Sequence, residues 1–279
     1  MKKIWITGAK GRVGSALCSF LDRSRLELLA TDREVDIADP AAVQAFIDAH
    51  TPYVIVNCAG LSDANACLQD PDAAFRINAL GPRNLASQAQ RIGAKLIHLS
   101  TDDVFSQYSS TPYNEFDTPC PGTVFGRSKL AGERFIATLC TRYVIVRSSW
   151  VYGIGNDIVA TVLAAARDPD CPWLMVPTDL IASPTCADDL AMVIGQLIDN
   201  ECLGVYHAVC LGWCSRYDFA REILRCAGLE DQLELRPSHS VENGAVYSVL
   251  DNMMLRLEGM RQPRPWREAL ADYIAKNAR

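Results

Sequence analysis

Gly8-Ala9-Lys10-Gly11-Arg12-Val13-Gly14 is the stretch on which the reading of this chain turns. It follows an apolar run, residues 3–7, that reads as a buried strand. After it, residues 15–21 place Ala16, Leu17, Phe20 and Leu21 on one helical face. Such a junction needs glycine three times. The first permits the tight turn, the second lets backbone approach a pyrophosphate, and the third lets helix and strand pack closely. The helix then offers unpaired N–H groups to an anion. Asp32, at the end of a second strand over 26–31, can accept hydrogen bonds from an adenosine ribose, which favours NAD. Lys10, Arg12 and Arg33 could each pair with a 2′-phosphate or simply sit solvated, so NADP and NAD both stay open.

Working outward, strand and helix alternate. Asp39-Pro40 caps a helix over 41–50. A third strand covers 53–56, and residues 72–92 read as one or two helices interrupted near Gly81-Pro82. A fourth strand covers 95–99, a helix 129–139 and a fifth strand 143–147. Later, 187–198, 217–227 and 266–275 read as helices and 205–208 as a strand. Residues 169–184 and 259–265 read as loops from their Pro and Gly. Crossovers of this length join parallel strands, so an α/β, doubly wound parallel sheet of Rossmann type is expected. Residues 1–153, with 186–208 returning to them, form the dinucleotide-binding domain. Residues 154–185 and 209–279 form a smaller C-terminal substrate lobe.

The composition narrows the function classes. The chain has 279 residues, 49% hydrophobic and 22% charged, which excludes global disorder. No apolar run approaches the roughly 20 residues of a membrane span. Lys2 and Lys3 imitate the start of an export signal, but the apolar stretch behind them ends at Thr7. The net charge of −6 gives no basic footprint for nucleic acid. Eleven cysteines without a Cys-x-x-Cys argue against a disulfide framework or a structural zinc site, and point to thiols kept reduced in a cytoplasm. No His pair has metal-ligand spacing.

The 3–3 spacing of the glycines, with Asn57-Cys58-Ala59-Gly60 after the third strand, resembles the extended short-chain dehydrogenase/reductase superfamily. Further segments look like the dTDP-4-dehydrorhamnose reductase family. These are Asp36-Ile37, the run from Leu96 to Asp102, the run from Gly126 to Glu133, and the run from Arg147 to Gly153. Ser183-Pro184-Thr185, Asp189-Leu190-Ala191 and Gly204-Val205-Tyr206-His207 extend the likeness over nearly the whole chain. The resemblance implies reduction of a 4-keto group on a nucleotide-linked 6-deoxysugar by NADP or NAD. It implies cofactor contacts at Gly8, Lys10, Gly11, Arg12, Val13, Gly14, Asp32, Arg33, Asp36, Ile37, Cys58, Ala59, Gly60, Leu61 and Lys129. Thr101 would hold the carbonyl, and Lys129 the nicotinamide ribose. Asp102, Asp103 and Trp150 would line the sugar site. The oligomeric state, a homodimer included, is not fixed by these features.

Three positions depart from that pattern. Four residues before Lys129, where the family has its proton-donating Tyr, stands Phe125. Phenylalanine has no proton to give, and losing a positioned acid costs roughly 10²- to 10⁴-fold in rate. Asp103 follows Thr101-Asp102 where the family has Tyr, giving two adjacent carboxylates that could act as acid and base or merely cap a turn. The segment Asn65-Ala66-Cys67-Leu68 carries fewer charges than its family counterpart. Three accounts of Phe125 remain. The proton comes through Asp102, Asp103, Tyr108 or water; the chain binds cofactor or nucleotide-sugar without turnover, as a non-catalytic or regulatory subunit; or the Phe replaces a Tyr to trap a complex. A lyase or epimerase using Asp102 and Asp103 is a further alternative. Trp150 and Tyr152 are each either a site wall or a core aromatic. Asp179 looks like part of a substrate-side loop, and His98 reads as a core histidine.

Overall fold

The computed structural model describes residues 1–106, 109–240 and 246–277. In chain order the first half is β1 (Lys2–Thr7), α1 (Arg12–Phe20), β2 (Leu26–Ala30), α2 (Pro40–His50), β3 (Val54–Asn57), α3 (Ala64–Gln69) and α4 (Pro71–Phe75). A π-turn over Arg76–Leu80 leads into α5 (Gly81–Ile92), followed by β4 (Lys95–Thr101), α6 (Val124–Leu139) and β5 (Tyr143–Ser148). The second half is β6 (Val151–Tyr152), α7 (Ile158–Arg167), β7 (Trp173–Pro177), β8 (Leu180–Ala182), β9 (Thr185–Cys186), α8 (Ala187–Asp199) and β10 (Gly204–His207). It ends with β11 (Cys214–Ser215), α9 (Arg216–Ala227), β12 (Glu234–Ser238), β13 (Val246–Tyr247), α10 (Met253–Leu257) and α11 (Trp266–Asn277).

The sheet runs β2-β1-β3-β4-β5-β10, and every neighbouring pair is parallel. Its strands are apolar runs because both faces are covered. Alternate residues part to opposite sides. Ile4, Ile6, Val54, Val56, Ile97 and Val144 pack towards α1 and α8, while Trp5, Ile55 and Leu96 pack towards α2, α5 and α6. The doubly wound arrangement read from the sequence is therefore present. The strand order reverses between β1 and β3, which places a crevice beyond their C-terminal ends. A separate apolar core of Tyr152, Val159, Val162, Phe219, Ile223, Trp266 and Leu270 gathers α7, α9 and α11.

Several boundaries differ from the sequence reading. Helix α1 begins at Arg12, because Gly11 is its N-cap, so Val13 and Gly14 are helical rather than loop. Helix α6 begins at Val124, where the Thr123 hydroxyl caps Gly126 N–H, so Phe125 lies inside it. No break occurs at Gly81-Pro82. Gly81 N–H bonds back five residues to Arg76, and Pro82, with no N–H to place, follows where the register changes. Within 169–184 the chain forms β7 and β8 instead of loop. β7 pairs in parallel with β12, and β8 lies between β11 and β13. With Trp173 and Met175 exposed, β7 presents outward the apolar residues that would mark a buried strand. Helix α7, capped by Asp157, has no counterpart in the sequence reading.

Between β5 and α6 lies a buried ion pair. Arg147 Nε donates to Glu133 Oε1 at 3.0 Å and Nη2 to Oε2 at 2.7 Å. Both side chains are only 5% exposed. Removing one partner strands the other charge away from water. Glu133→Ala should therefore lower unfolding free energy by about 3–5 kcal/mol, read from the denaturant midpoint.

Candidate active site

A cavity of about 650 Å³ opens at the C-terminal ends of β1, β3, β4 and β5. Lys10 to Val13 form one wall, Cys58 to Ser62 a second, and Leu99 to Asp103 a third. Helix α6 contributes Phe125 and Lys129, the strand end after β5 contributes Trp150, and α9 contributes Arg216.

The glycine loop is a cradle that side chains would fill. Gly8 has φ +63°, and a Cβ there would lie 2.7 Å from the Ala59 backbone. A Cβ on Gly14 would lie 2.2 Å from Gly8 O. Gly11 caps α1 without any side-chain bond, so the first-turn N–H groups are left for a ligand at the cavity wall. This arrangement fits the diphosphate of a dinucleotide. Arg12 reaches across the cleft instead of outward. Its Nη2 donates to Asn156 O at 2.6 Å, and its Nε lies 3.5 Å from Asp157. Lys10 is exposed, 3.9 Å from Glu34. Asp32, Arg33, Asp36 and Ile37 are not among the described residues of the wall. Asp36 accepts Ala38 N–H and faces Arg76, and Ile37 is buried in the core beneath Gly81.

Lys129 is one helical turn from Phe125 and shares its face. Its Nζ donates to Leu99 O at 2.5 Å and lies 3.4 Å from His98 Nε2. Asn57 holds the other edge of that imidazole. Its Oδ1 accepts from the Thr7 hydroxyl and Ala59 N–H, so its amide group donates to His98 Nδ1. Burial pushes the Lys129 ammonium down to about 8, and His98 well below its ordinary range. His98 is thus the core histidine expected, with a neighbour the sequence did not reveal.

Asp102 is 5% exposed. Its Oδ2 accepts from Ser149 Oγ at 2.8 Å and Ser248 Oγ at 2.5 Å, and its Oδ1 meets Thr101 Oγ1 at 3.1 Å. Burial raises its carboxyl above the usual range, against the pull of those hydroxyls. Asp103 N–H donates to Thr101 Oγ1 at 3.2 Å, which closes the turn. The turn packs tightly on α6, since a Cβ on Gly126 would lie 2.0 Å from Asp103 O.

Trp150 has φ +40°, a left-handed conformation that bulky residues rarely adopt. Its ring lies 3.6 Å from the Arg216 guanidinium, measured to the ring centroid. Arg216 is held down to about 10 by burial, while Asp102 and Asp103 favour its charge. Tyr152, by contrast, is a core aromatic, fully buried against Phe219 and Tyr273. Asp179 is buried and accepts Ser240 N–H, away from the described wall. Residues 65–68 lie in α3, whose Ala64 touches the cavity. Tyr108 lies outside the described residues.

Four residues that shape this cavity were given no role by the sequence. Asn78 pins the Leu61 loop through both its amide atoms, and Ser149 and Ser248 hold Asp102. Arg216 enters from α9. A signal existed only for Asn78, a polar residue inside an otherwise apolar helical face.

The comparisons with known proteins agree with this fold. A family model described as RmlD substrate binding domain matches residues 1–279. The spore coat polysaccharide biosynthesis protein SpsK of Bacillus subtilis (strain 168) is 36% identical over 283 residues, covering 100% of this chain and 99% of the relative. The structure of a dTDP-4-dehydrorhamnose reductase from Clostridium acetobutylicum superposes with a TM-score of 0.95 at 37% identity, covering 99% of this chain and 100% of that one. The corresponding enzyme of Bacillus anthracis, solved with NADP, gives 0.94 at 34% identity, covering 99% and 100%.

Burying the Lys129 charge costs stability. A folded pKa below the unfolded value means that the unfolded chain binds more protons between the two, so this contribution to stability rises with pH there. Lys129→Met should therefore raise the thermal midpoint at neutral pH while weakening cofactor binding. The stability gain should shrink as pH rises from about 8 towards about 10. Paired melting curves and NADPH fluorescence titrations check both parts.

Proposed function

The chain belongs to the RmlD substrate-binding family, and from that premise we propose that it is an NAD(P)H-dependent reductase of a nucleotide-linked 4-keto-6-deoxysugar. The observation that carries the reading is one cleft. The glycine loop, Lys129 and Thr101 meet in it at the C-terminal ends of parallel strands. The first-turn N–H groups of α1 would hold the diphosphate. Lys129 would bind the nicotinamide ribose, and Asp32 with Arg33 and Lys10 would hold the adenosine end. When bound, the nicotinamide supplies a hydride. Thr101 would hydrogen-bond the keto oxygen, Trp150 would wall the sugar ring, and Asp102 and Asp103 would border it. The homologous reductase solved with NADP supports a dinucleotide cofactor for this chain. NADP and NAD both remain candidates, because Arg12 is engaged by Asn156 and Asp157.

Phe125 favours a second reading, a protein that binds cofactor without turning over, since the ring lines the cavity with no hydroxyl. Incubating the chain with NADPH or NADH and dTDP-4-dehydrorhamnose separates the two. A reductase oxidises cofactor one-for-one with a reduced sugar. A binding protein shows saturable quenching with no product. Sugar conversion without net cofactor oxidation would indicate a lyase or epimerase instead.

A further inference from the structure

The cavity wall contains an acid whose proton has one exit. Ser149 and Ser248 both donate to Asp102 Oδ2 and so fill its lone pairs. To the carboxylate, Thr101 Oγ1 donates at Oδ1 across 3.1 Å; on a neutral Asp102 the proton must sit on Oδ1, and that bond reverses. Thr101 Oγ1 already accepts Asp103 N–H. With a second donor at Oδ1, both its lone pairs are taken, and its own hydrogen is left to point into the cavity it lines. Phe125, a turn before Lys129, offers nothing in competition.

We propose that Asp102, acting through the Thr101 hydroxyl, is the general acid of this site. The proposal rests on the reductase reading above. As hydride from the reduced nicotinamide forms the new C–H bond, the carbonyl π pair moves to oxygen. That oxygen takes the Thr101 proton, and Thr101 takes the Asp102 proton. The ketone becomes a secondary alcohol, the nicotinamide is oxidised, and Asp102 is left as a carboxylate. Water reprotonates it after product leaves. Burial supports the protonated start by raising the Asp102 carboxyl. The charged groups facing it are Arg216, from the start of α9, and Asp103, in its own turn. The Arg216 guanidinium favours the carboxylate that the transfer leaves behind.

The test compares four proteins: the chain itself, Asp102→Asn, Phe125→Tyr and the double variant. Each is assayed with dTDP-4-dehydrorhamnose and NADPH. Asp102→Asn should lower kcat by roughly 10²-fold or more with little change in NADPH affinity, and Phe125→Tyr should restore turnover on that background. The chain's rate should fall as pH rises through the Asp102 pKa, and the double variant should lack that limb. Infrared difference spectra should show a protonated carboxyl that titrates above the ordinary range and is absent from Asp102→Asn. Should Asp102→Asn fail to fold, Thr101→Val should lose turnover while Thr101→Ser keeps it. The relay is overturned if Asp102→Asn turns over like the chain, or if Phe125→Tyr fails to rescue it. It also falls if only tyrosine-bearing proteins turn over, although the reductase reading then stands. If no protein turns over yet NADPH binds, the reductase reading itself fails.

Discussion

Three backbones meet at the point where the strand order reverses, and the site depends on how closely they approach. Gly8 O lies against the first turn of α1, and Gly8 Cα lies against Ala59. Any side chain at Gly8 or Gly14 would wedge these segments apart. Each glycine costs about 0.5–1 kcal/mol in chain entropy relative to alanine. The apolar faces of β1, β3 and α1, buried together, offset that cost. The result is a helix start aimed into a crevice that two neighbouring strands have opened.

That contact was legible because two of its three backbones are consecutive in the chain. A strand, three glycines and an apolar helical face announce themselves within 21 residues. Phe125 was legible for a similar reason, since it stands a fixed distance from Lys129. The second lobe was not. Its strands are two to five residues long and pair across wide gaps, β7 with β12 and β8 with β13, so no local period marks them. The partners of Asp102 were equally hidden. Ser149 and Ser248 are 47 and 146 residues away from it, and isolated serines carry no pattern. Arg216 looks like an ordinary helix-start residue until the fold sets it over Trp150.

The buried ionisable groups of the cleft share a tendency. Burial pushes Asp102 up and Lys129 down, so both move towards neutrality. A dry wall of this kind strengthens every hydrogen bond that crosses it, and makes each unpaired one expensive. Several polar atoms here are accordingly tied. Three hydroxyls meet Asp102, a carbonyl meets Lys129, and Asn57 orders His98 between Thr7 and the lysine. The rigidity of the wall follows from that pairing. Hydroxyls and amides with fixed partners cannot rotate to suit a wrong ligand.

The backbone at Trp150 has a consequence for which sequences this fold can accept. A bulky residue held at φ +40° costs of order 1–3 kcal/mol, and glycine would sit there without strain. Selection for stability alone would therefore drive the indole out. What the indole touches, the Arg216 guanidinium over its ring, is what is set against that strain. The end of β5 is then a position where drift and function pull in opposite directions. Variants that regain stability there should be those that have given up the Arg216 stack and the wall it supports.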